Sequence, residues 1–246
     1  AFRRSEELKR RGIYTTEDDA VQENYEIVPT TCQFMDEGMR ILLTGIIKFI
    51  PNLFPEFQML SKMDKSLLIR NYMQMFHMFD SEFRSLLKFG QGSHHIFGSY
   101  TTFLSVEYAE HFFSDCPDQS YVEVAARTLR DNIQENILKG QMRIYQINPT
   151  EEEWMAMIGL SLWSVENIDP SEQTLALATR YRTEIIADLS ERYQTTVGTE
   201  KGAARIGDLL CILQDCRRAE GTLKSEYEIY RMLDVMDDNY LMYKMR

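Results

Sequence analysis

No run in this chain of 246 residues approaches the roughly 20 apolar residues of a membrane helix, and no secretory h-region opens it. Basic charge is also scarce: 27 Lys and Arg stand against 38 Asp and Glu, a net charge of −11. That balance weighs against direct nucleic-acid binding, which needs basic surface to neutralise phosphates, and equally against an anionic membrane surface. The 6 prolines and 12 glycines are too few for a disordered chain. Cys32, Cys116, Cys211 and Cys216 form neither a disulfide framework nor a zinc-type spacing. They read as four buried, reduced thiols of an intracellular protein. There is no phosphate loop and no nucleophile beside a base in a recognisable motif, so neither an enzyme nor a cofactor is expected.

A hydrophobic fraction of 44% is ample for a core. Few segments alternate with period two, so the chain reads as mainly helical, and no repeat or long loop divides it. The 14 methionines suit a loosely shaped internal pocket or ordinary packing equally well. The chain opens on Ala1 rather than Met and reads as a segment of something longer. Residues 1–30 change character: basic clusters at Arg3-Arg4 and Lys9-Arg10-Arg11 precede Glu17-Asp18-Asp19, as in a hinge or a frayed helix.

From about Thr31 to Ile50, Phe34, Met35, Met39, Leu42, Leu43, Ile46 and Ile47 mark one helical face, which Pro51 should end or kink. After the corner Pro55-Glu56-Phe57 and a capped turn at Ser61–Asp64, a second helix is apolar almost all round, from Leu67 to Phe79. Such a helix must be covered on every side, which places it in the middle layer of a multilayer helical protein. Arg84 at its far end needs an anion or an opening to water. Residues 95–103 read as a β-hairpin turning near Gly98. Val122 to Ile137 make the next helix. Thr150 with Glu153 is a capping box. Asp169-Pro170-Ser171-Glu172 supplies a cap, a first-position Pro and a first-turn acid for a helix to about Tyr193. Arg205 opens the last long helix, which runs to about Met236.

The motifs Pro55-x-Phe57-x-x-Leu60-x-x-x-Asp64-x-x-Leu67-Leu68, Glu153 through Met157 with Gly159-Leu160-Ser161-Leu162, and Arg205 through Leu213 with Arg217 stand in order. Together they resemble the nuclear hormone receptor ligand-binding domain over roughly residues 30–246. The corner Pro55-Glu56-Phe57-Gln58 is similar to that of divergent nematode-type members. The resemblance implies an all-α, three-layer antiparallel helical sandwich with one small β-hairpin. It also implies a nuclear transcription factor that binds a lipophilic ligand and recruits coactivator or corepressor peptides. DNA would be contacted only through a separate zinc module, whose cysteines are not in this chain.

Three carry-overs follow from the resemblance. Arg84 matches the arginine that holds a ligand carboxylate, as of a fatty acid; alternatively it pairs with Asp80 or Glu82. Met39, Leu43, Met73, Gln74, His77 and Leu223 map to the pocket wall, with Asp36 and Arg40 close by and able to pair across one helical turn. In the coregulator groove Asn52 stands where the family has a Lys and Lys244 where it has a Glu, while Arg70 keeps a basic rim residue. Leu241, Met242 and Met245 supply the apolar face of a degenerate terminal activation helix at about 239–246. Ile206, Leu209 and Leu213 would form a homo- or heterodimer interface with another receptor, or pack internally. A filled pocket would leave a ligand-independent dimer partner or repressor.

Overall fold

A computed structural model describes residues 2–14 and 25–244. Its elements are α1 (Phe2–Arg10), β1 (Val28–Pro29), α2 (Cys32–Leu53), a 3-10 turn (Pro55–Met59), α3 (Lys62–Phe89), β2 (Ile96–Phe97) and β3 (Thr102–Leu104). A second 3-10 turn (Val106–Tyr108) leads to α4 (Ala109–Phe112), α5 (Val122–Asn132), a π turn (Ile133–Ile137) and α6 (Leu138–Ile147). Then come α7 (Glu151–Leu162), α8 (Glu172–Thr196), α9 (Thr199–Met232) and α10 (Leu241–Lys244).

Helix α3 is the centre of the sandwich. It packs against α2 on one side and against α6, α7 and α9 on the other. Its residues from Asn71 to Phe79 are all buried, as an all-round apolar helix requires. Ser61 caps it, accepting from the Asp64 amide at 3.0 Å. Trp154 of α7 stacks on Phe79 and Phe83, with centroids 3.6 and 4.0 Å away. Helix α9 closes the far layer against α5 to α8.

The residues that carry the family resemblance are polar fasteners between these layers. Glu153 takes two bonds of 2.7 Å from Arg205, one from Tyr193, and closes the capping box with Thr150. Burial works against its charge, but the donors of Arg205 and Tyr193 outweigh it and hold the carboxyl down to about 2. Arg205 also donates to the carbonyls of Ile147 and Asn148, sealing the end of α6. The Ser171 amide and hydroxyl bind Asp64 at 3.0 and 2.8 Å and hold its carboxyl below the ordinary range against the penalty of burial. Glu56 of the corner takes donors from Arg180 and Tyr181 of α8.

Several sequence expectations shift. Pro51 lies inside α2, whose last turn continues to Leu53, because only one amide is forfeited so near the end. The cap of α8 is Ser171, not Asp169, since Ser171 is the extended residue whose hydroxyl reaches the Thr174 amide. Helix α9 starts at Thr199 and ends at Met232, where Leu233 and a left-handed Asp234 turn the chain. The hairpin β2–β3 is present, and β1 adds a third strand parallel to β3.

The start of the chain is not a free lead-in. Helix α1 lies along α2, and Glu7 is buried among the hairpin-turn donors Ser99, Tyr100 and Thr101. Arg3 donates to the Tyr100 hydroxyl at 2.6 Å. Gly38 and Gly45 allow this approach: a Cβ would meet Ser99 Cβ at 2.7 Å and Arg3 Nε at 2.3 Å. The acidic stretch Glu17-Asp18-Asp19 lies outside the described residues.

Candidate functional site

A small cavity of about 50 Å³ lies between α2, α3, the hairpin, α5 and α9. Its apolar wall includes Met35, Met39, Met78, Phe97, Leu104 and Leu223. Met39, His77 and Leu223 are among the residues that line it. Leu43, Met73 and Gln74 are not among the lining residues. Leu43 is half-buried against the core and Met73 is fully buried within it. Gln74 is buried with neither amide atom hydrogen-bonded among the described residues.

The polar part of the wall is His77, Ser81, Glu82 and Asn132. Glu82 is buried; burial and the neighbouring Asp215 push its carboxyl up to about 8, so it is a neutral acid at pH 7. One of its oxygens has no partner among the described residues. Asn132 lines the same space and donates to Glu226 at 2.8 Å; burial, against that donor, pushes Glu226 up to about 8. Burial, helped by Arg84, holds His77 down to about 4, so its ring is neutral. Sequence reasoning missed Asn132 and Glu226, and it offered Glu82 only as a partner for Arg84, a place that Asp80 takes instead.

Arg84 is not among the residues lining this cavity. Its Nε donates to Asp80 at 2.7 Å and its Nη1 to the Ser99 carbonyl at 3.3 Å. The guanidinium lies 4.7 Å from the Phe97 ring centre and 4.8 Å from that of Tyr100. Burial opposes its charge, but Asp80 and Tyr100 outweigh it and the pKa is raised. Of the two roles open to Arg84, the geometry is that of the ion pair with Asp80. The side chain faces outward, onto a surface cleft with Arg3, Lys48 and Asn52.

The terminal turn α10 is docked by the pair expected near the pocket wall. Arg40 donates to Asp36 at 2.6 Å and to the Asn239 carbonyl at 2.9 Å, while Asp36 accepts from the Leu241 amide. Asp36 thus satisfies an orphan amide at the start of α10 from across the fold. Leu241 is buried and Lys244 is exposed, its ammonium 3.3 Å from Asn239. The Met242 side chain and all of Met245 lie outside the described residues. Asn52 is exposed and donates to the Lys48 carbonyl at 3.2 Å, and Arg70 is exposed on α3. Leu209 and Leu213 are buried against the domain's own helices and Ile206 is half-buried. Their stripe is internal packing, and Leu210 and Cys211 face outward instead. Cys211 is thus the exposed one of four thiols read as buried.

The described residues form a three-layer helical sandwich with a small interior cavity, and the terminal turn is docked on α2. The model of the ligand-binding domain of nuclear hormone receptors matches residues 28–233. The chain belongs to that family, whose members bind small lipophilic ligands, engage coregulators and dimerise. No curated protein matches the chain. No helix among the described residues is long and apolar enough to cross a membrane.

Proposed function

We propose that this domain is a coregulator-recruiting module of a nuclear transcription factor whose interior is filled by its own side chains. The carrying observation is the cavity volume. About 50 Å³ has room for a water or two, against the roughly 300–1,000 Å³ of ordinary ligand pockets. The pairing of Arg84 with Asp80 supports the same reading, because the fork that would hold a fatty-acid carboxylate has a partner already. Glu82, a neutral acid on the cavity wall, offers a carboxylate no counter-charge. The corner Pro55-Glu56-Phe57-Gln58 supports placement among divergent nematode-type receptors. The protein would work in the nucleus without catalysis, as a dimer partner or repressor, and DNA contact would belong to a separate zinc module. The outward Leu210 and Cys211 on α9 are the better candidates for a dimer face.

Native mass spectrometry of the purified domain tests this directly. The bare polypeptide mass is expected, with no displaceable lipid. A retained lipid, or a melting temperature that rises with added fatty acid, overturns it. The same protein titrated with a labelled Leu-x-x-Leu-Leu peptide should bind weakly, because Asn52 and Lys244 lack the charges that complement a helix dipole. Restoring them with Asn52→Lys and Lys244→Glu should gain several-fold, at about 0.3–1 kcal/mol per terminal charge.

A further inference from the structure

Two thiols and a carboxylate far apart in sequence meet at the start of α2. Cys32 is the first residue of that helix, and Asp115 and Cys116 lie in the turn after α4. Their ligand atoms, two Sγ and a carboxylate oxygen, all lie within 4.8 Å of one another. A tetrahedral zinc ion with Zn–S near 2.3 Å sets its sulfurs about 3.8 Å apart. Closing this cluster on an ion therefore asks for movements of about an ångström, within reach of side-chain rotation.

The surroundings hold the three groups in place. Both cysteines are buried, and their sulfurs lie within 4.8 Å of each other and of the Asp115 carboxylate. The Gln33 amide donates to Asp115 Oδ2 at 3.2 Å, fixing the carboxylate. The Cys116 amide donates to the Phe113 carbonyl at 3.1 Å, which sets the turn. Asp115 is exposed, so water can reach the open side. The N-terminal end of the 22-residue α2 favours negative ligands. Thiolates are the soft donors that select zinc-like ions over magnesium or calcium.

We propose that Cys32, Cys116 and Asp115 bind one soft divalent cation of the zinc class, with water as the fourth ligand. The two thiol protons pass to solvent as the ion enters. The site ties α2 to the turn at 113–116, and α2 is also the helix on which the terminal turn α10 packs. Metal occupancy would stiffen the junction against which α10 packs.

The test is titration of the reduced chain with Co²⁺, followed by Zn²⁺ competition. One equivalent of Co²⁺ should give thiolate-to-cobalt absorption and tetrahedral visible bands, both erased by Zn²⁺. Cys32→Ser and Cys116→Ser should each weaken binding by more than the about 10- to 100-fold typical of losing a supporting partner. Asp115→Asn, on the surface, should keep the fold by circular dichroism and weaken binding about tenfold. This variant keeps the test decisive if a buried serine prevents folding. Absence of cobalt absorption at 100 µM metal (roughly a thousandfold above a structural-type affinity) overturns the proposal. So does a signal unchanged in Asp115→Asn, or one lost instead in Cys211→Ser. A Cys32–Cys116 disulfide that takes no metal once reduced overturns it as well.

Discussion

Arg84→Ala separates a receptor that grips an anionic ligand from one whose arginine holds the fold. The side chains of Arg84 and Asp80 are 15% and 18% exposed, so the pair is neither free in water nor fully desolvated. Its bond at 2.7 Å is charge-assisted and contributes about 1.5–3 kcal/mol. Stacking on Phe97 and Tyr100 adds about 0.5–1 kcal/mol per ring. Removing Arg84 also leaves Asp80 half-desolvated without its cation, while relief of the arginine's own desolvation offsets part of the loss. The expected cost is about 2–4 kcal/mol, or a fall in melting temperature of roughly 4–16 °C for a chain of this size. Urea unfolding of the ligand-free domain measures it. A cycle with Asp80→Ala should return a coupling of about 1–2 kcal/mol, because each single variant already removes the same bond. Fatty-acid binding, assayed in parallel, should be absent in both proteins. If Arg84→Ala unfolds like the parent and instead abolishes a measurable fatty-acid affinity, the ion-pair assignment is refuted.

Glu153→Gln should destabilise the domain by about 3 kcal/mol, the lower end of the cost of breaking a buried pair, since Arg205 remains one-quarter exposed. The Glu153 carboxyl is depressed to about 2, so its contribution is present above its unfolded value and lost as pH falls through about 2. Acid unfolding of the parent should therefore be steeper than that of the variant between roughly pH 4.5 and 2. Glu82 has the opposite sign: its raised folded value, about 8, means stability is fully present below the unfolded value and lost as pH rises toward 8. Glu82→Gln should flatten the decline in melting temperature between pH 5 and 8, and an unchanged slope would exclude Glu82 as its source. Asp36→Ala should release the terminal turn, seen as early proteolysis after residue 236; an undisturbed cleavage pattern would mean that Arg40 and the buried Leu241 hold it without Asp36.

Legibility followed the range of the signal. Thr150 with Glu153 and Ser61 with Asp64 are readable because cap and amide are three residues apart. The central helix is readable because the apolar residues from Leu67 to Phe79 fall on almost every side of it. The docking of α1 is not, because Glu7 looks like a solvent charge until the Ser99–Thr101 turn is folded over it. The β1 strand is two residues long and ends in Pro29, beneath any periodicity. Leu209 and Leu213 repeat at the spacing of a dimer stripe and of internal packing alike, and only the position of α8 decides between them. For Arg84 the sequence states only the need for an anion or an opening to water; the choice of Asp80 depends on a rotamer that the sequence does not state.

The contact between Asp36 and Leu241 joins residues 205 positions apart, and Glu7 reaches Thr101 across 94. Contacts of such separation close large loops, so the entropy they cost must be met after the local helices have formed. Both ends of the described chain are therefore late arrivals on α2, laid on opposite margins of a helix that is already in place. By the same reasoning they are the units that open at the lowest free energy once folding is complete. Amides of α1 and α10 should exchange with solvent long before those of α3, and in that order of opening the domain frays from its two ends while its centre stays shut.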